Sequence, residues 1–262
     1  MLLKEYLKIF LLLACVQCIS IACETTDTSQ QTKAAANSAQ KIINRSILAH
    51  GTALFEKAKI TFEFRDKTYT LDREKAAFTY ARSFEDSLGW TEDVLTNSAI
   101  FTRSIKGIPT EVALETAAKY SRSINSVLYF FQVPYVLNDP AAQKIDEGII
   151  TLNGQNYHQI QITFSPKDGG KDFKDEFLYW IHTQTFEIDY FAYNYDTDGG
   201  GVRFREAINK RNLQGLLLQD YINYEPISKD TPLKELPQLY DQGSLRELSR
   251  ILNSNIEIIP KY

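Results

Sequence analysis

The stretch GGKDFKDEFLYWIHTQTFEIDYFAYNYDTDGGGVRFRE, residues 169–206, decides the fold of this chain. Residues 177–182 and 188–195 are composed almost wholly of side chains that favour a pleated, partly buried surface, and the segment around Gln184 is short enough to be a hairpin connection. Two antiparallel strands are therefore expected. A third run, residues 202–207, follows Gly199, Gly200 and Gly201, and the two-residue alternation of a strand places Arg203 and Arg205 on one face. Two guanidinium groups on one face require carboxylates, water or an anionic ligand. Asp172, Asp175, Glu176, Asp189 and Glu206 lie in the same stretch, so an internal ion-pair network is the first expectation and an anion site the second.

The same alternation organises most of the remaining chain. Residues 58–65, 67–73, 76–84, 90–95 and 99–104 read as strands joined by tight turns, which makes an antiparallel meander. Residues 144–152 and 157–165 flank Asn153-Gly154, the pair that best supplies a type I′ turn. Residues 213–224 form a further strand and residues 226–237 a loop. Residues 244–259 fit either a short helix followed by a strand or one long strand.

Two helices interrupt the strands. Residues 33–50 bring Ala39, Ile42, Ile43, Ile47 and Leu48 near one face and stop at Gly51. Residues 110–127 follow Pro109, with Val112, Leu114, Ala117, Ala118, Ser121, Ile124 and Val127 as the apolar or small positions. Residues 125–140 are too apolar to be left in water and hold Pro134 and Pro140, so this segment is expected to plug the sheet or line a cavity. The class is α+β, mainly antiparallel β.

Composition narrows the function. The 262-residue chain carries a net charge of -4, which gives no broad basic footprint and argues against nucleic acid as a partner. Its 15 Tyr and 15 Phe suit sheets around a large interior. Cys15, Cys18 and Cys23 are the only cysteines, so the body has no thiol for a disulfide, a metal or nucleophilic catalysis. Residues 1–22 have a short basic start, an apolar run and a small residue before Cys23, the layout of a secretory signal. A small residue before a cysteine resembles the bacterial lipobox, where that cysteine is lipidated. Cys15 has the cleaner preceding residues, but processing at Cys23 leaves a polar tether over residues 23–36 and a single domain over residues 37–262. Cys23 is the expected lipidation site, placing the protein in the cell envelope as a membrane-anchored lipoprotein facing the periplasm or the cell surface.

The segments NSVLYFFQVPYVLNDPA (125–141), GGKDFKDEFLYWIH (169–182), DYFAYNYDTDGGGVRFREA (189–207) and LLLQDYINYEP (216–226) together resemble an uncharacterised family of bacterial lipoproteins, similar in fold to periplasmic Lol-type lipoprotein carriers. The resemblance covers roughly residues 40 to 260. It implies a strongly curved, incompletely closed antiparallel half-barrel, covered by one long helix and an N-terminal helix, around an apolar cavity that in related carriers accepts acyl chains. It implies no established reaction. Where family members often carry His-Gly-Gly after the first helix, this chain has His50-Gly51-Thr52, which weakens a catalytic role for that turn.

The candidate ligand-binding residues are Tyr129, Phe131, Tyr135, Asp175, Tyr179, Asp189, Tyr190, Arg203 and Arg205, with a lipid, acyl chain or other apolar molecule as the ligand and no cofactor. The alternatives are an envelope hydrolase using Asp175, Asp189, Arg203 and Tyr179, or a structural lipoprotein with a filled core. His50, His158 and His182 lack the spacing of a zinc site. Asp172, Asp175 and Glu176 do not form an EF-hand loop, and Asp196 to Gly201 reads as a flexible turn rather than an ion loop. No Gly-x-Ser-x-Gly elbow or phosphate loop is present.

Overall fold

The structure, a computed structural model, describes residues 24–74, 77–97, 100–164, 175–196 and 199–261. The signal segment, Cys23 and Asp172 lie outside them. Helix α1 (Glu24–Ala49) leads through the short α2 (Leu54–Lys57) into a meander of β1 (Ala58–Phe64), β2 (Lys67–Glu74), β3 (Ala77–Asp86), β4 (Gly89–Thr96), β5 (Phe101–Ile105) and β6 (Ile108–Thr110). Helix α3 (Leu114–Phe131) crosses to a second meander, β7 (Ala142–Leu152), β8 (Gln155–Phe164), β9 (Phe177–His182), β10 (Ile188–Tyr195), β11 (Gly201–Leu213) and β12 (Leu216–Glu225). After α4 (Leu236–Asp241), β13 (Arg246–Ile251) pairs with β12 and β14 (Asn253–Pro260) pairs with β1.

The result is two seven-stranded antiparallel sheets, in the orders β14-β1-β2-β3-β4-β5-β6 and β13-β12-β11-β10-β9-β8-β7. The chain passes from one to the other at Leu252, so β13 and β14 form a seam. Edges β6 and β7 stay unpaired with each other, and the barrel is open on that side. The ambiguous residues 244–259 therefore contain two strands divided between the sheets, which alternation alone could not reveal.

Helix α3 lies between the sheets and belongs to both cores. Ile124 and Leu128 pack with Phe62, Tyr69, Leu71 and Tyr80 of the first sheet. Tyr129 and Phe130 pack with Phe177, Tyr179 and Phe191 of the second, where Ala39, Ile42 and Ile43 of α1 also bury. Residues on the opposite face of the second sheet, among them Trp180, Tyr190 and Phe204, are covered by Leu233 and Leu236. Helix α3 is also fixed by charge. Asp93 on β4 is fully buried and accepts from Arg82 at 2.5 Å and Arg103 at 2.6 Å, while Arg82 donates to Ser123 Oγ at 3.2 Å and Arg103 lies 4.2 Å from the Tyr120 ring.

Several boundaries differ from those expected. Residues 24–36, expected as a polar tether, are helical and continuous with α1, with residues 30–34 exposed. The long helix starts at Leu114 and runs to Phe131, because residues 108–110 instead complete a hairpin with β5, and the aromatic residues 129–131 find partners on both sides. Strand β11 continues past Ala207 through polar residues to Leu213, with a bulge between Ile208 and Arg211. Residues 226–237 include a 3-10 turn and the start of α4. The Asn153-Gly154 turn has both residues at positive φ, 49° and 74°, as a type I′ turn requires.

Gly51 ends α1 at φ 63°, a left-handed position that favours glycine. A Cβ placed there would stand 1.9 Å from the carbonyl oxygen of Gly215 in the β11–β12 turn. The obstacle is backbone, which has little room to yield. Gly51→Ala is expected to lower the unfolding free energy by about 2 kcal/mol or more, measured by urea denaturation at pH 7.5.

Candidate functional site

Cross-strand pairing lines up one row of side chains over the second sheet: Ile160, Tyr179, Phe191, Arg205, Asn223 and Ser249, each opposite the next. The row changes from apolar to polar, and Arg205 stands at the change. Burial by α1 and α3 explains the apolar end. At the polar end the row approaches the seam, where α3 finishes and the sheets diverge.

A cavity of about 220 Å³ occupies that place. Its apolar wall comes from Phe64 at the end of β1, from Val127, Phe130 and Phe131 in the last turns of α3, and from Leu217 and Ile251. Its polar wall includes the exposed Arg65 and the residues Arg205, Gln219, Tyr221, Asn223 and Ser249. Arg205 is 7% exposed, with its guanidinium carbon 4.0 Å from the Phe130 ring centre and 5.3 Å from that of Phe191. One Nη donates to the Tyr193 hydroxyl at 2.9 Å, and Nε has no partner. Among the described residues no carboxylate lies within salt-bridge distance of it. Gln219 donates its amide to the Ile188 carbonyl at 2.9 Å and to the Tyr221 hydroxyl at 2.8 Å, which leaves its buried Oε1 unpartnered. The buried Oδ1 of Asn223 is unpartnered too. Burial drives the Tyr221 phenol up to about 12, against the hydrogen bond from Gln219, so it stays a protonated donor at neutral pH.

The structure disperses the residues that the sequence nominated. Arg205 and Phe131 line the cavity. Tyr179 is fully buried in the core beside it, and Tyr129 packs against the same cluster, burial raising both phenols. Tyr135 donates to Glu56 at 2.6 Å, its ring 5.8 Å from Phe55. Asp189 accepts from Tyr157 at 3.0 Å and pairs with Lys210. Tyr190 lies in the cluster on the opposite face, 5.7 Å from Phe204. Asp175 leads into β9, part-buried. Arg203, on the same face as Arg205, pairs with Glu225 at 3.3 Å and donates to the Tyr195 hydroxyl at 2.7 Å.

Among the described residues, Arg203 thus pairs with Glu225 from outside the stretch 169–206, and Arg205 stands against aromatic rings. Asp189 and Arg203 engage different partners, and Tyr179 is sealed in the core, so the group expected of a hydrolase does not converge. Phe130, Gln219, Tyr221 and Asn223 were not nominated. Gln219, Tyr221 and Asn223 alternate along one strand of LLLQDYINYEP, a signal that period-2 reading could have raised.

Fourteen antiparallel strands among the described residues, curled without closing around a helix, define an open α+β half-barrel with an internal cavity. The chain belongs to the family described as Family of unknown function (DUF6503), whose model matches residues 7–253. Similar solved structures include the LolA superfamily protein NE2245 from Nitrosomonas europaea, at 9% identity over 84% of this chain and 92% of that one, with a TM-score of 0.45. A DUF1329 family protein from Desulfovibrio piger is 8% identical over 84% and 92%, with a TM-score of 0.43. A putative outer membrane lipoprotein-sorting protein domain from Vibrio parahaemolyticus is 8% identical over 85% and 93%, with a TM-score of 0.35. Comparison with curated proteins gives no significant match.

His50 has a positioning part in this scaffold. It is buried, its Nε2 accepts from the Ile188 N–H at 3.1 Å, and its carbonyl accepts from the Leu217 N–H at 2.9 Å, so it ties the end of α1 to β10 and β12. Burial lowers its pKa from 6.5 to about 4. The unfolded chain then binds more protons than the folded one between those values, so stability from the neutral ring is complete above pH 6.5 and is lost as pH falls towards 4. In chemical denaturation, the stability advantage of wild type over His50→Gln is expected to shrink by up to about 3 kcal/mol between pH 7 and pH 4.

Proposed function

We propose that this protein is a lipid-anchored component of the cell envelope that binds an apolar molecule in the cavity beneath the end of α3. The observation that carries the reading is the cavity itself, walled by Phe64, Val127, Phe130, Phe131, Leu217 and Ile251 within an open half-barrel. An apolar ligand placed there leaves water at about 25 cal/mol per Å² of surface buried, with no polar group of its own to desolvate. The anchor rests on the sequence before Cys23, and the first turns of α1, which lead to the exposed residues 30–34, would stand between the lipid and the domain.

The size of the cavity limits what it accepts. A dry cavity of about 150 Å³ holds one benzene, so this one accommodates about nine non-hydrogen atoms. A single short acyl chain or a compact aromatic molecule fits, whereas a whole two-chain lipid does not without separation of α3 from the seam.

Titration calorimetry with 1-octanol is expected to give one site on the wild-type protein. Val127→Phe, which fills the cavity from α3, is expected to weaken that binding about tenfold or more while the protein still melts cooperatively. Undiminished binding in the variant would remove the cavity as the site. For the anchor, metabolic labelling with a radioactive fatty acid in a bacterial host is expected to survive Cys15→Ser and disappear in Cys23→Ser; the reverse pattern reassigns the processed cysteine to Cys15.

A further inference from the structure

We infer that the ligand of this cavity is a monoanionic carboxylic acid bearing a hydroxyl near its carboxylate, with the carboxylate held by Arg205 and Tyr221 and the hydroxyl by Gln219 or Asn223. This rests on the cavity-binding reading above and goes past it, since apolar walls alone specify no head group.

Three side chains more than nine-tenths buried, Arg205, Gln219 and Asn223, each carry a polar atom without a partner, and all three line the same cavity. Buried polar groups in folded proteins are nearly always satisfied, so three orphans at one place indicate a missing partner. The chemistry of each orphan defines it. Arg205 offers an Nε–H, with aromatic rings rather than a carboxylate around its charge. Tyr221 accepts from Gln219 and keeps its own proton to donate. These two donors suit an anion.

The remaining orphans are acceptors. Gln219 cannot be turned round, because its amide nitrogen already serves the Ile188 carbonyl and the Tyr221 hydroxyl, so Oε1 can only accept. Asn223 stands directly opposite Arg205 in the strand register and makes only a long 3.4 Å contact with Ser249. A plain carboxylate leaves these acceptors unmet, and a hydroxyl beside it donates to one of them. Arg205 is the buried guanidinium of the cavity wall and balances one negative charge, whereas Arg65, which also lines the cavity beside Phe64, is exposed and its charge is screened by water. The 220 Å³ volume, at about nine non-hydrogen atoms, comes close to the size of octanoate, with ten, and of 3-hydroxyoctanoate, with eleven.

Titration calorimetry at pH 7.5 with octanoate, 3-hydroxyoctanoate and 1-octanol, against wild type, Arg205→Met, Arg205→Lys and Gln219→Leu, tests this assignment. Octanoate is expected to bind wild type and to lose about tenfold or more in Arg205→Met, while 1-octanol binds both alike. Arg205→Lys, which keeps the charge, is expected to retain more octanoate affinity than Arg205→Met. The 3-hydroxy acid is expected to bind wild type several-fold more tightly than octanoate and to lose that advantage in Gln219→Leu. Equal octanoate affinity in wild type, Arg205→Met and Arg205→Lys overturns the acid assignment and leaves the apolar cavity standing if 1-octanol binds. A 3-hydroxy acid that binds no better than octanoate overturns the hydroxyl. Failure of all three compounds to bind wild type removes both the inference and the reading beneath it.

Discussion

The fold depends on consecutive aromatic residues of one helix facing opposite sheets. Phe131 stacks on Phe62 of the first sheet with ring centres 3.9 Å apart, and Phe130 stacks on Phe191 of the second at 5.7 Å. Neither sheet closes on itself, so each exposes an apolar face that must be covered. Helix α3 covers both at once, and Gln132 at its end locks the arrangement by accepting from Arg73 at 2.6 Å and donating to Tyr80 at 2.9 Å. The cavity begins where this wedge stops. Val127, Phe130 and Phe131 of the last turns form one wall there, and Leu217 and Ile251 of the second sheet another.

Two buried cationic groupings show the difference between scaffold and site. Asp93, without any exposure, is surrounded by Arg82 and Arg103, and those guanidinium groups are further occupied by Ser123 and the Tyr120 ring. Removing one partner from so closed a set leaves a buried charge uncompensated, which costs about 3–5 kcal/mol, so this set belongs to the support of α3. Arg205 has the opposite character. Rings stabilise its charge and one Nη is bonded, yet Nε faces no acceptor. The Nε–H groups of Arg82 and Arg103 both meet Asp93, whereas that of Arg205 is buried without a partner.

Residues 169–206 illustrate how far the sequence could be read. The three strands and the shared face of Arg203 and Arg205 follow from alternation, and the structure has them. Their partners did not follow. Glu225, which pairs with Arg203, lies on the neighbouring strand, and the bulge between Ile188 and Tyr190 takes Asp189, two residues from Phe191, to the opposite face, where it meets Tyr157. A bulge shifts the phase of every side chain beyond it, and no composition rule locates it. The polar end of β11 was missed for a related reason: its exposed residues carry no apolar alternation, and hydrogen bonding to β12 alone makes them a strand.

The sequence by itself determined the α+β class, the succession of strands β1 to β5 and β7 to β12, the Asn153-Gly154 turn, the two helices and the clustering of cysteines at the N-terminus. These are local properties, fixed by side-chain periodicity, turn conformation and composition. Tertiary structure decided that residues 244–259 join two sheets, that α3 extends to Phe131 between them, and that Arg205, Gln219, Tyr221 and Asn223 meet around one cavity. Those outcomes depend on which strands lie side by side and where a helix runs out, and contacts between residues far apart in the chain settle both.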